Sequence, residues 1–142
     1  MFKSILVGLV GVIGFIGSPA GAAEATGVWL TESKKAHVEI YPCGTDLCGK
    51  IVWLKEPNDE SGKPKVDKEN PVDAKKSAPL LGSNMITGMK MERPGRWTDG
   101  EIYNAEDGKT YTSVMDLTDD STLKVAGCVW IFCKDQVWTR VK

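Results

Sequence analysis

Four cysteines are the most reactive side chains in the sequence, and they form two pairs with the same spacing. Cys43 and Cys48 are five positions apart, and so are Cys128 and Cys133. This Cys-x4-Cys spacing lies at the edge of the Cys-x2-4-Cys pattern of zinc knuckles, and zinc thiolates are uncommon where oxidation competes. A thioredoxin-type switch needs Cys-x-x-Cys at the start of a helix, which neither pair offers. In an exported chain of this size an even cysteine count favours disulfides. We expect two local bridges across hairpin turns, with a bridge between the two turns as the alternative.

Apart from the cysteines, the sequence offers few residues in the patterns that catalytic sites use. His37 is the sole histidine, it alternates with apolar neighbours in a strand pattern, and no serine lies in a Gly-x-Ser-x-Gly elbow. Two distant carboxylates, for instance Glu101 and Asp116, would have to meet to support glycosidic hydrolysis. We therefore expect no enzyme, no catalytic residue, no metal and no cofactor, and keep a small hydrolase as a minor alternative.

The N-terminus has the pattern of a secretory signal peptide. Lys3 precedes an apolar run of 13 residues, 5–17, and small residues follow. A membrane-spanning helix needs roughly 20 apolar residues, so a retained anchor is the less favoured interpretation. We predict a signal peptide over 1–23, cleaved after Ala22, Ala23 or Ala25. Residues 24–142 then form one domain in the periplasm or outside the cell, without a membrane span.

The charge balance argues against a polyanion as partner. The chain carries 18 Lys and Arg against 19 Asp and Glu, for a net charge of −1, and the basic residues are interleaved with acidic ones. A nucleic-acid surface or an anionic-membrane patch is therefore unsupported. We expect no nucleic acid among the partners, and the composition leaves the oligomeric state open.

The elements that position these residues are strands, because apolar residues recur with period two along most of the chain. Turn residues such as Asp107-Gly108 separate the strands. The predicted strands cover 27–31, 36–41, 49–54, 84–90, 96–104, 109–117, 122–129 and 136–141.

Eight short antiparallel strands favour an all-β, closed meander barrel, with a sandwich as the alternative, because closure removes exposed strand edges. The 24-residue segment 55–78 breaks the pattern with 12 charged residues and three prolines. Asn70-Pro71 predicts one short helix over about 71–77 in this loop. The loop is either a lid at the barrel mouth or a solvated loop packed outside the barrel. Asp67 and Asn70 within it are explained by capping and loop hydrogen bonds as well as by binding.

Several blocks, in this order, resemble the bacterial domain-of-unknown-function family numbered 2147: "GVWLT", "VEIYPCGTDLCGKIVWL", "DKENP", "PLLG", "GEIYNAEDGKTYTSVMDL", "LKVAGCV" and "WTRV". The likeness covers the whole of the mature chain. It implies a small exported protein with a lipocalin-like barrel, no established enzymatic activity and a role in holding a hydrophobic small molecule. The turn "CVWIFCK" departs from the glycine-rich turn of many members.

Two groups of residues receive roles. "GVW" and "WTR" resemble the first and last strands of lipocalins, so barrel closure is assigned to Gly27, Trp29, Trp138 and Arg140, with the Arg140 guanidinium over the Trp29 indole. An exposed Arg140 on a terminal strand is the alternative. We expect an apolar or amphipathic molecule inside the barrel, against ligand-binding residues Trp53, Trp97, Tyr103, Asn104, Tyr111 and Trp130. Cross-strand packing of the tyrosines competes with that role. A packed barrel acting as an envelope interaction module is the alternative function.

Overall fold

The computed structural model describes residue 11 and residues 22–142. The predicted signal peptide, 1–23, therefore lies almost wholly outside the described residues. Within the described part of the chain, no helix combines the length and apolar character needed to cross a membrane.

Eight strands account for most of the described chain, as predicted. A four-residue helix, α1 (Ala22–Ala25), precedes them. The strands are β1 (Gly27–Leu30), β2 (Ala36–Cys43), β3 (Asp46–Leu54), β4 (Asn84–Arg93), β5 (Arg96–Asn104), β6 (Lys109–Asp119), β7 (Thr122–Val129) and β8 (Phe132–Arg140). The short helix predicted over 71–77 is present as a single 3₁₀ turn, Asp73–Lys75.

The strands form a closed antiparallel meander barrel, which confirms the predicted architecture and excludes the sandwich. Each strand pairs with the next, and β8 returns to β1. That last seam is short, because only Trp29 and Leu30 of β1 have partners on β8, namely Arg140 and Thr139. In such a meander the connections alternate between two ends. The β1–β2, β3–β4, β5–β6 and β7–β8 connections lie at one end, which we name the loop end. The start of β1 and the end of β8 lie at the opposite end, which we name the terminal end.

The barrel interior is filled by a single apolar cluster. Three of the five indoles, Trp29, Trp97 and Trp138, are at most 1 % exposed. Met89, Met115, Leu123 and the β-branched residues of β2, β4 and β7 pack with them in the same cluster. These bulky side chains come from alternate positions of the strands, which is why the sequence shows period two. Of the three tryptophans expected to contact a ligand, Trp97 is a core residue, whereas Trp53 and Trp130 are exposed.

Both predicted local disulfides are present, at opposite ends of the barrel. Cys43 is bonded to Cys48 in the β2–β3 hairpin, and Cys128 to Cys133 in the β7–β8 hairpin. Each hairpin turns through two residues, so the strands run through the cysteines. The predicted third and last strands, 49–54 and 136–141, therefore begin too late. The four intervening residues were taken as turn residues, but two of them extend the strands in each hairpin.

Candidate functional site

The long β3–β4 connection covers the outside of the barrel wall and leaves a cleft beneath it. The cleft has a volume of about 540 Å³ and lies between the loop and strands β4, β5 and β6. Its walls combine the carboxylates of Asp67 and Glu101 with the Lys75 ammonium group and the apolar side chains of Val72 and Met85. A mixed lining of this kind matches a ligand that has both an apolar and a polar part.

Asp67 fastens the loop to the wall of the barrel. Its side chain accepts a hydrogen bond from the Tyr103 hydroxyl at 2.7 Å on one oxygen and from the Asn70 amide at 2.8 Å on the other. Its main-chain N–H donates to the carbonyl of Ala78 at 2.9 Å. The residue is only 8 % exposed, so its carboxylate depends on these donors in place of water.

Tyr103 supplies the matching group on β5. Burial of the ring and the bond to the Asp67 carboxylate raise the pKa of the Tyr103 hydroxyl to about 12. Both causes disfavour the phenolate, which would be desolvated and would face a negative charge. Tyr103 therefore stays a hydrogen-bond donor at every physiological pH, and it holds the cleft floor to the loop.

Asn70 shapes the rim of the cleft rather than starting a regular helix. Its side-chain oxygen accepts a hydrogen bond from the Val72 N–H at 2.9 Å, and its amide donates to Asp67. Capping and loop hydrogen bonds thus occupy this residue. Val72, which follows, remains 49 % exposed on the cleft.

The six residues predicted to bind a ligand do not meet at one place. Only Tyr103 lines the cleft. Trp97 is a core residue. Trp53 is 40 % exposed and stacks on His37 with ring centroids 4.3 Å apart. Asn104 and Tyr111 serve the β5–β6 turn: the Asn104 side chain accepts from the Glu106 N–H at 2.9 Å, and the Tyr111 hydroxyl donates to Asp107 at 2.6 Å.

The sixth residue, Trp130, is 81 % exposed at the β7–β8 turn, with its ring centroid 6.1 Å from that of Phe132.

The lipocalin-type closure is present in the geometry predicted for it. The Arg140 guanidinium carbon lies 4.3 Å from the Trp29 ring centroid. Arg140 also donates to the carbonyls of Glu24 and Thr26, and the Trp29 indole N–H donates to Ala25. Gly27 allows a close approach, because a Cβ there would lie 2.6 Å from the Lys142 carbonyl oxygen. Trp138 is fully buried in the adjoining core.

The carboxylates considered for hydrolysis are separated. Glu101 lines the cleft and is paired in register with Thr112, four positions before Asp116 on β6. That offset along a strand is about 13 Å, beyond the spacing of glycosidase carboxylates. Asp116 instead accepts two hydrogen bonds from Arg96, at 2.9 and 2.8 Å. Among the described residues, no group of three or more His, Cys, Asp or Glu is placed to hold a metal ion.

The cleft residues that sequence reasoning missed are Lys75, Met85 and Glu101 as lining residues and Asp67 as the partner of Tyr103. The period-two pattern of apolar residues does not identify them, because they come from a loop and from the outer faces of strands. Their proximity depends on the side of the barrel on which the loop lies, which composition does not encode.

Comparison with known proteins agrees with this architecture. The family model described as "Uncharacterized protein conserved in bacteria (DUF2147)" matches residues 27–140. The chain therefore belongs to that family. No curated protein matches the chain.

A solved structure from Helicobacter pylori, protein HP1028, which is described as belonging to the lipocalin family, is similar to the chain with a TM-score of 0.73. The two share 20 % sequence identity over 82 % of each chain. At that identity the likeness establishes the fold and leaves ligands to be argued from this chain's own residues.

Proposed function

We propose that this member of the DUF2147 family is an exported, non-enzymatic protein that binds an amphipathic small molecule, and that the cleft between the 55–83 loop and strands β4–β6 is its binding site. The observation that carries the proposal is the volume of about 540 Å³ bounded by both apolar and charged side chains. Small-molecule sites commonly occupy roughly 300–1,000 Å³ with this kind of lining.

The position of the site differs from the one expected inside the barrel. The interior expectation relied on Trp53, Trp97 and Trp130 as walls, but Trp97 packs in the apolar core and the other two are exposed. The cleft instead uses the outer wall of the barrel and the charged loop. The loop thus acts as one wall of the site, packed outside the barrel, and it is held there by Asp67 and Tyr103.

The chemistry of the lining favours a ligand with distinct ends. Val72 and Met85 offer apolar surface, while Lys75 and Glu101 offer opposite charges within the same cleft. A suitable ligand would place an apolar body against Val72 and Met85 and a polar head group near Lys75 and Glu101. The carboxylate of Asp67 already has two hydrogen-bond donors, so it supports the wall and leaves head-group contact to the other charged residues.

Export is supported by two independent features. Both disulfides are formed and the described residues contain no free cysteine, a pattern typical of oxidising compartments. The sequence also begins with the signal-peptide pattern described above. We place the protein in the periplasm or outside the cell, with a hydrophobic or amphipathic small molecule as its partner.

Binding is tested with two variants of the same loop. Val72 lines the cleft and is 49 % exposed, whereas Leu81 is 51 % exposed and does not line it. Fatty acids and sterols are titrated by calorimetry into the processed, disulfide-bonded protein. We expect Val72→Asp to weaken binding by about tenfold, the effect of losing one apolar contact, and Leu81→Asp to leave it unchanged. Equal affinities for the two variants, or flat titrations across the panel, would refute the cleft as the site.

A further inference from the structure

The tip of the β7–β8 hairpin is the most exposed apolar segment among the described residues. Four consecutive residues, Val129, Trp130, Ile131 and Phe132, are 62, 81, 68 and 71 % exposed. The strand that follows is exposed as far as Val137, because β1 is too short to pair with this half of β8. Apolar residues exposed singly are common, but a contiguous group of this kind marks a contact surface.

The backbone at the tip has a conformation that is strained for the residue it carries, and a glycine there would adopt it more easily. Trp130 occupies the first turn position with φ of 53°, in the left-handed region that bulky residues avoid. The β2–β3 hairpin turns in the same way and places Gly44, with φ of 67°, at the equivalent position. Glycine is the residue that such two-residue turns favour. The chain thus keeps its largest side chain where glycine would fold with less strain.

The tip is also braced. The Cys128–Cys133 disulfide joins residues that are directly opposite in the β7–β8 register, and Val129 pairs with Phe132 just beyond it. A cross-link this close to the turn restricts the backbone that carries the four exposed side chains before any contact is made. Docking of the tip therefore loses little conformational entropy.

The size and shape of the tip indicate its partner. The four side chains expose on the order of 500 Å², since one large aromatic carries about 150–250 Å². A stable dimer buries about 800 Å² on each copy. The tip is therefore too small to hold a second copy of this chain. A convex point of indole, phenyl and aliphatic groups suits the interfacial layer of a bilayer, where Trp is enriched.

The charges near the tip select the kind of bilayer. Residues 125–133 carry no charge, and Asp135, just after the tip, forms an ion pair with Lys124 at 3.9 Å. Lys134 is the one further charged residue within 124–135. The hairpin itself therefore offers no basic patch for anionic lipids. We propose that Val129–Phe132 inserts into the interfacial layer of a zwitterionic phospholipid membrane and acts as a shallow, reversible anchor.

The anchor and the cleft lie at the same end of the barrel but use different residues. The β7–β8 turn and the long β3–β4 loop are both loop-end connections, while the tip contributes no residue to the cleft. The membrane proposal therefore stands independently of ligand binding. A protein that binds no small molecule would still dock through the tip.

The test measures partition of the host-processed, disulfide-bonded protein onto phosphatidylcholine vesicles by flotation, together with quenching of tryptophan emission by lipids brominated on the acyl chain. Trp130→Gly removes the indole and relieves the strained φ, so it is expected to unfold in urea at the same concentration as the wild type or a higher one. Phe132→Ser is the second variant. Leu81→Ser removes an apolar side chain that is 51 % exposed and does not belong to the tip, and it is the control.

We expect the wild type to float with vesicles, with binding that is insensitive to molar salt. Each tip variant should lower the partition coefficient by about tenfold or more, and Leu81→Ser should change it less than twofold. Four outcomes would overturn the proposal: no wild-type flotation, tip variants that bind like the wild type, binding that needs anionic lipid and is lost in salt, or a tip-dependent dimer or protein complex without vesicle binding.

Discussion

Asp67 and Tyr103 show how two single residues decide where a whole loop lies. They are 36 positions apart, and the bond between them joins a charged loop to the wall of β5. Asp67 is nearly buried, so its carboxylate depends on the donors that Tyr103 and Asn70 provide. Removing one donor leaves a buried acceptor underpaired, which costs more free energy than the bond itself contributes.

This residue pair makes the loop sensitive to high pH. The pKa of Tyr103 is raised to about 12 in the folded protein, against about 10 in the unfolded chain. The unfolded state therefore loses its proton first, and the stabilisation is complete below pH 10 and lost as the pH rises towards 12. We expect Tyr103→Phe to lower the free energy of unfolding by about 1–2 kcal/mol at pH 8.

Urea titrations between pH 8 and 12 check the prediction. The difference in stability between wild type and Tyr103→Phe should narrow from pH 10 upwards. Tyr111→Phe is the matched control, because the Tyr111 hydroxyl bonds to Asp107 in the turn just before its own strand and does not tie the long loop to the barrel. A difference that stays constant up to pH 12 would show that the Tyr103–Asp67 bond does not hold the loop.

At the scale of residues, the sequence predicted a contact correctly where a recognisable motif assigns it to two specific residues. Arg140 over Trp29 was predicted from the resemblance of "GVW" and "WTR" to the first and last strands of lipocalins, and the ring contact is present. The roles of Trp53 and Trp130 were not predictable in the same way. The sequence around a tryptophan does not distinguish an indole that fills the core from one that stacks on His37 or projects from a turn.

Among the elements, the two disulfide-bonded hairpins have the same length and opposite surfaces. Each encloses four residues between its cysteines, but one turn is Gly44-Thr45 and the other is Trp130-Ile131. The pairing was predictable from the spacing, because a chain that reverses within four residues brings its flanking cysteines together. The protruding apolar tip was not, because exposure depends on how far β1 extends beside β8.

Each disulfide should contribute modestly and separately to stability. A bridge over so short a loop removes little unfolded-state entropy, equivalent to about 2 kcal/mol. We expect Cys43→Ser/Cys48→Ser and Cys128→Ser/Cys133→Ser each to lower the free energy of unfolding by about that amount while the β circular-dichroism spectrum is kept, because the core cluster holds the barrel independently.

Chemical denaturation of the two double variants and of the quadruple variant tests this prediction. The effects should add, since the bridges lie at opposite ends of the barrel. Loss of the barrel on removing either bridge alone would contradict an independent core.

The long loop shows the limit of prediction at the scale of elements. Its charge and prolines excluded a strand, and the short 3₁₀ turn lies within the predicted helical range. Its placement outside the barrel rather than across the mouth depends on contacts with β5, and these involve residues far apart in sequence. The candidate site was therefore less predictable than the fold, since its walls come from that placement.

For the whole molecule, the barrel is closed through a narrow seam. β1 pairs with β8 at two positions, and Arg140 reinforces the seam by bonding to the carbonyls of Thr26, Glu24 and Asp120 while covering the Trp29 ring. Charged donors to main-chain carbonyls are stronger than neutral ones. Arg140 thus adds side-chain bonds to a seam that main-chain bonds of Val28 with Val141 and Lys142 also hold.

Replacing this side chain should weaken the entire barrel. We expect Arg140→Met, which keeps the aliphatic stem, to lower the free energy of unfolding by about 2–4 kcal/mol. Amide exchange should rise most in β1 and in the C-terminal half of β8. Arg93→Met is the control, because Arg93 is 64 % exposed and pairs only with its neighbour Glu92 among the contacts described. Equal stability of the two variants would show that the seam does not depend on Arg140.

The start of β1 and Lys142 meet at the terminal end of the barrel, which has a practical consequence. Val28 and Lys142 are joined by a main-chain hydrogen bond of 2.6 Å, so the first strand and the last residue are neighbours. A short peptide linker would span them, and a circularly permuted gene opened elsewhere would encode the same barrel. A surface tether fused to Lys142 would likewise hold every molecule in one orientation, with the cleft and the aromatic hairpin directed away from the support.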